Sequence, residues 1–233
     1  MKRIFTFILA LSISMSSIYA NNESNNDDKE TPKYSFNQKE DEGGWWQSGW
    51  FASAGVGALI YFGDHDKQLA TGKRISPGFE VSAGKWINEV IGVRLNFNAG
   101  KMKGLTQFGK TNGLSTGKLF RAYDNLWHQE FNYINGNADF MFNWTNDIDE
   151  TNVNNMYHLI PYAGIGFISA TNKQKGTSFA VNVGVLNTFK VSEKWGIYAD
   201  VRGAMFRDKV DGEVGGRNFD GLLTVLIGAS YSF

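Results

Sequence analysis

From residue 50 to the last residue, apolar side chains recur at every second position, in runs too long for the strands of an ordinary soluble domain. Eight such segments can be marked. Trp50–Phe62 sets Ala52, Ala54, Val56, Ala58, Ile60 and Phe62 against Ser53, Gly55, Gly57 and Tyr61. Ile75–Trp86 sets Phe79, Val81 and Ala83 against Glu80, Ser82 and Gly84. Residues 90–100 set Ile91, Val93, Leu95 and Phe97 against Arg94, Asn96 and Asn98. Residues 129–143 set Ile134, Ala138, Phe140 and Phe142 against Asn135, Asn137 and Asp139. Residues 157–169 carry Pro161 and alternate least clearly. Residues 177–189, 195–206 and 221–233 complete the set, with Phe179, Val181, Ile197, Val201, Leu223, Val225 and Ile227 on their apolar faces. No stretch after residue 43 reads at the helical period of 3.6.

Each segment runs about 11 to 14 residues. A strand needs roughly 9 to 11 residues to cross hydrocarbon at a tilt. Lipid offers no partner to backbone amides, so such strands must close into a ring. The fold expected is an all-β, closed antiparallel transmembrane barrel of about eight strands in up-and-down order. Mid-strand, the apolar faces carry no Asp, Glu, Lys or Arg. The opposite faces carry Glu80, Arg94, Asp139, Asp200 and Arg202, a mixture of signs that can pair inside a lumen too narrow for a wide pore. These five are read as a structural charge network.

The connections alternate in length. Asn88-Glu89 and residues 190–194 are short, while 63–74, 101–128, 171–176 and 207–220 are longer, as in outer-membrane barrels with tight periplasmic turns and longer external loops. Residues 144–156 are longer than that pattern asks. An even strand count puts both termini on the periplasmic side. Trp50, Trp86, Trp144 and Trp195 fall at that end, together with Trp45 and Trp46, and read as an aromatic girdle at the headgroups. Trp127 sits at the other end.

Before the barrel stand two further segments. Residues 1–20 read as a secretory signal peptide, with Lys2 and Arg3 before the apolar run from Ile4 and cleavage after Ala20. Residues 21–48 are polar and aperiodic, a periplasmic leader, and 49–233 form the barrel. Lys and Arg number 23, balanced by 23 Asp and Glu, which argues against a nucleic-acid partner. There is no cysteine, hence no disulfide, thiolate metal site or lipid-modified cysteine.

The stretches GVGALIYFGDHD at 55–66, ISPGFEVSAGKW at Ile75–Trp86, IGVRLNF at 91–97, PYAGIGF at 161–167, LNTF at 186–189 and DGEVGGR at 211–217 resemble the OmpA-type small outer-membrane barrels. The likeness covers about residues 50–233. It implies a barrel in the outer membrane of a Gram-negative cell. It also implies that Gly228, Tyr231 and Phe233 match the terminal signal read by the outer-membrane insertion machinery, with Ile227 departing from the polar residue usual there. Many relatives continue into a peptidoglycan-gripping domain; a chain ending at Phe233 reads as a barrel-only member.

Enzymatic chemistry is not expected. His65, His128 and His158 lack a serine two residues on, although His128 has Glu130 on its own face. Asp64, His65 and Asp66 read as a polar turn, and 211–217 as a glycine-bent loop without calcium-loop spacing. No metal or cofactor is expected. Lys101, Lys103, Lys110, Lys118 and Arg121 give the longest loop a basic character suited to lipopolysaccharide phosphates. The expected role is structural support of the envelope, in contact with outer-membrane lipid and lipopolysaccharide. Two alternatives are an accessory or binding subunit of a larger outer-membrane complex and a narrow ion or small-solute channel.

Overall fold

Alternation converts into strands whose inward and outward faces are those read from the sequence. The computed structural model describes residues 49–107, 109, 114–148, 156–171, 176–208, 210–211 and 218–233. The segments read as a signal peptide and a leader, Trp45 and Trp46 included, lie outside the described residues. Among the described residues nine strands form: β1 (Trp50–Phe62), β2 (Ile75–Trp86), β3 (Ile91–Thr106), β4 (Ser115–Arg121), β5 (Leu126–Phe142), β6 (Tyr157–Ala170), β7 (Thr177–Lys190), β8 (Trp195–Arg207) and β9 (Phe219–Ser232). Two short helices join them, α1 (Thr71–Arg74) and α2 (Trp144–Ile148).

Every sheet neighbour is antiparallel. The order β3-β2-β1-β9-β8-β7-β6-β5 closes through a long β3–β5 ladder from Ile91↔Phe142 to Thr106↔Trp127. Eight strands thus make a ring, and β4 is an addition that pairs with the start of β5 alone. The seam between first and last strands is a continuous β1–β9 ladder from Phe51↔Ser232 to Phe62↔Gly221. At that seam Gly55 stands opposite Gly228, and the Tyr198 ring lies over both: a Cβ on Gly55 would sit 2.5 Å from the Tyr198 hydroxyl oxygen, one on Gly228 2.6 Å from its Cζ. Glycine there lets an aromatic ring lie flat on the inner wall.

Both strand prolines sit where a ladder has stopped. Pro161 is one residue past the last β5–β6 pair, Met141↔Tyr162, and Pro77 one residue past Gly78↔Gly100 of β2–β3. Their missing N–H groups therefore leave no bond to those neighbours unmade.

The outer wall is apolar on every strand. Val56, Phe79, Leu95, Phe97, Ile134, Phe140, Ile165, Phe167, Phe179, Ile197, Val225 and Ile227 are all exposed, several by more than half of their surface. A belt of this size far exceeds the apolar patches that water tolerates, and hydrocarbon is the solvent it fits. The inner wall is buried and layered. Phe51, Met141, Ile160, Tyr162, Leu186 and Tyr198 cluster toward the end bearing the β2–β3 and β7–β8 turns. Polar groups fill the middle. Leu59, Tyr61, Met102, Phe131, Tyr133, Ile168, Phe206 and Leu222 pack as a second apolar layer toward the loop end.

Two expectations are corrected. The connection read as one loop over 101–128 is largely strand: β3 runs on to Thr106, β5 begins at Leu126, and β4 lies between. Lys101 and Lys103 gave that stretch a loop-like look, yet both keep the outward phase, while Met102 is buried on the inner side. The β2–β3 turn spans four residues rather than two, held by Asn88 Oδ1 accepting from the N–H groups of Val90 and Ile91. The long 144–156 connection opens with helix α2, and residues 149–155 lie outside the described residues.

Candidate functional site: a charged lumen and an acidic loop end

Closure brings the five inward charges together. Arg94 on β3 faces Asp139 on β5 in direct register, and its Nε and Nη2 both donate to Asp139 Oδ2, at 3.1 and 2.9 Å. Arg202 on β8 reaches across the lumen: its Nη2 lies 3.1 Å from Glu80 Oε2 on β2 and 3.2 Å from Asp200 Oδ2. Longer contacts tie the pairs into one set, Arg94 to Asp200 at 3.6 Å, Arg202 to Asp139 at 3.7 Å and Arg94 to Glu80 at 3.9 Å. Every one of these side chains is at most 4% exposed.

Polar residues complete the network, as buried charges require. Tyr162 is the hub. Its hydroxyl donates to Asp200 Oδ1 at 2.6 Å and accepts from Arg202 Nε at 2.8 Å, and its ring lies beneath both guanidinium groups, 4.6 Å from Arg94 Cζ and 5.3 Å from Arg202 Cζ. Asn96 accepts from Arg202 Nη1 at 2.6 Å, Asn182 donates to Asp139 Oδ1 at 2.8 Å, Asn98 donates to Asn96, and Asn137 donates to Asn135. The five charges were legible in the sequence as inward polar positions. Asn96 and Asn182 were legible only as inward polar positions, and Tyr162 was not singled out, although its phase marks it as inward-facing.

A second polar cluster lies at the loop end, beyond the apolar layer. The Tyr61 hydroxyl, at the top of β1, donates to Asp220 Oδ2 at 2.7 Å and lies 3.2 Å from Asp211 Oδ2. Gln129 of β5 donates to that same Asp211 oxygen at 3.2 Å. Asp208, Asp211 and Asp220 are all buried, and an oxygen of each lies within 4.8 Å of the others. Sequence reasoning weighed Asp211 within the 211–217 stretch but missed the group, because Asp220 stands 9 residues beyond Asp211 and 12 beyond Asp208, across the β8–β9 connection.

Asp66 anchors the first loop beside it. Its Oδ2 accepts from the Gly63 N–H and its Oδ1 from the Leu105 N–H, both at 2.7 Å. Gly104 must lack a side chain here, because a Cβ would sit 2.3 Å from Asp66 Oδ1. Burial pushes the Asp66 carboxyl up from its ordinary 3.8 to about 6, against the two backbone donors and Arg74, with Asp211 adding to the rise. A raised acid binds its proton more tightly when the loop is folded. The loop is therefore expected to lose stability as pH rises from about 4 through 6, by on the order of 2 kcal/mol. Amide exchange of Gly63 and Leu105 checks this: intrinsic-rate-corrected protection should fall across that window. Protection that stayed flat would mean the carboxyl is as well solvated folded as unfolded.

The remaining sequence candidates fall as follows. Trp50, Trp144 and Trp195 are about half exposed at the turn end, and Lys85 lies 5.1 Å over the Trp50 ring. Trp86 instead turns into the mouth of the barrel, packing on Phe51 at 6.2 Å between ring centres. Tyr231 stacks edgewise on Trp195 at 5.0 Å and on Phe233 at 5.3 Å, and the Phe233 N–H donates to the Trp50 carbonyl. Glu130 pairs with Lys101 and Lys103, and His128 packs edge-on against Phe120. His158 meets Asn143 at 3.3 Å. Arg121 pairs with Asp124. Lys110 and residues 212–217 lie outside the described residues.

A closed eight-strand meander, apolar outside and charged within, defines a class: the chain is an outer-membrane β-barrel protein with the small OmpA-type barrel fold. It is 27% identical over 178 residues to Outer membrane protein 40 of Porphyromonas gingivalis, an alignment covering 70% of this chain and 40% of that one. It is 30% identical over 156 residues to Outer membrane protein 41 of the same organism, covering 63% and 35%. The chain thus spans well under half the length of these relatives. Neisserial surface protein A has the same fold, with a TM-score of 0.50 at 12% identity over 80% of this chain and 98% of that one. No family model matches the chain.

Proposed function

We propose that the barrel is a non-conducting structural element of the outer membrane, its short turns and both termini periplasmic and its longer loops outside. The observation that carries this reading is the sealing of the lumen side chains: two arginines and three acidic residues bridge β2, β3, β5 and β8, each almost wholly excluded from water. Cross-lumen ion pairs act as struts between opposite walls, and the apolar layer around Tyr61 and Phe131 caps them. An ion path needs continuous polar, wet surface, which such a layer interrupts. In this reading Trp50, Trp144 and Trp195 sit at the headgroups, Gly228, Tyr231 and Phe233 engage the insertion machinery, and Lys101, Lys103 and Lys118 face lipopolysaccharide.

Planar bilayers containing the purified barrel are expected to stay electrically silent. Discrete conductance steps that disappeared with an Arg94 substitution would replace the strut by a gated channel. A second reading, an accessory subunit, draws on a cavity of ≈ 500 Å³ at the turn end, lined in part by Trp86, His158, Leu186, Glu193 and Tyr198. Extraction in mild detergent distinguishes the two. A barrel recovered by itself favours the strut, and a stoichiometric companion favours the subunit.

A further inference from the structure

We propose that Asp208, Asp211 and Asp220 bind a calcium ion at the loop end of the barrel. The three carboxylates offer one oxygen each within 4.8 Å of one another. Calcium takes oxygen ligands at about 2.3–2.6 Å, so two donors on one ion stand at most roughly 5 Å apart, and this trio fits a single coordination sphere. The residues are at most 8% exposed, and carboxylate oxygens are the ligands a hard divalent cation takes.

Two further oxygens point to a ligand independently of the charge. Asp220 is 2% exposed, and its Oδ1 has no hydrogen-bond partner, while its Oδ2 is held by the Tyr61 hydroxyl. Asp220 forms no ion pair among the described residues. Gln129 is equally buried, and its Oε1 also lacks a partner, although its amide nitrogen already touches the cluster through Asp211 Oδ2. A buried acceptor without a donor is costly, and a cation satisfies it. Rotating the Gln129 amide by half a turn would present a carbonyl oxygen, a normal calcium ligand, where the nitrogen now stands.

The scaffold is suited to holding an ion. Asp220 is on β9, Tyr61 on β1 and Gln129 on β5, three strands locked in the ring. Arg74, beside Tyr61, donates its Nη1 to the Tyr61 carbonyl at 3.1 Å and lies over the Phe62 ring. An ion here would clamp the β8–β9 loop to the barrel wall.

The test is calorimetric titration of calcium chloride into the folded full chain in detergent micelles, after chelator treatment and buffer exchange. One ion per barrel is expected, with a dissociation constant of about 0.1 to 1 mM, the range of extracellular calcium modules. Asp220→Asn and Asp208→Asn should each weaken binding at least tenfold. Glu130→Gln, a half-buried acid paired with Lys101 and Lys103, should stay within twofold. Absence of saturable binding to the native chain up to about 20 mM, a concentration well above that range, would overturn the proposal. So would Asp220→Asn or Asp208→Asn binding calcium as the native chain does, or magnesium binding where calcium does not. If Asp220→Asn fails to fold, the native titration and Asp208→Asn still decide.

Discussion

Arg94→Met is expected to destabilise the barrel by about 3–5 kcal/mol, the cost of breaking a buried ion pair from one side. Arg94 and Arg202 together face Glu80, Asp139 and Asp200, two basic side chains against three acidic ones, a formal excess of one negative charge. Without Arg94 the excess becomes two, and Asp139 loses the two guanidinium bonds that hold its Oδ2. Methionine fills much the same volume, so the loss is one of charge rather than packing. Equilibrium unfolding by urea in lipid vesicles, followed by tryptophan fluorescence, measures it. The double substitution Arg94→Met with Asp139→Leu removes the pair that stands in register, restores the original charge balance, and should recover most of the loss. A single-variant cost below about 1 kcal/mol would mean that water reaches the carboxylates, since only solvated charges are that indifferent to their partners.

Phe97→Arg is expected to cost about 2–4 kcal/mol, the penalty for arginine at the middle of a transmembrane barrel's lipid face. Phe97 stands mid-strand between Val81 and Gly136, with 61% of its surface on the outer wall. The same change at Phe189, near the turn end of β7, should cost no more than about 1 kcal/mol, because a long cationic side chain there reaches the headgroups. The same vesicle unfolding assay reads both. Depth dependence is the diagnostic quantity. In a water-facing wall both substitutions would be near neutral, and equal costs at the two positions would remove the bilayer from the explanation.

Much of this architecture is local and therefore legible in the chain. Period two fixes which side chains share a wall, and the length of each run fixes the span. β1 and β2 begin and end where alternation does, and Glu80, Arg94, Asp139, Asp200 and Arg202 all fall on the inner wall as their phase requires. The loop strand β4 was not legible. Its burial follows no period-two pattern, and it pairs with β5 through shifted register, so it exists because β5 extends past the wall and offers it an edge.

Which inner residues meet was decided only by closure. Arg202 and Glu80 are more than a hundred positions apart, and they touch because the β1–β9 and β3–β5 ladders fix the circumference and stagger of the ring. Tyr162 becomes a hub, Trp86 a plug in the mouth and Asp208, Asp211 and Asp220 a single acidic nest for the same reason. A repeating pattern tells each strand which way to face, since facing depends on neighbours one or two residues away. Distances across the lumen depend on all eight strands at once, and no short-range signal carries them.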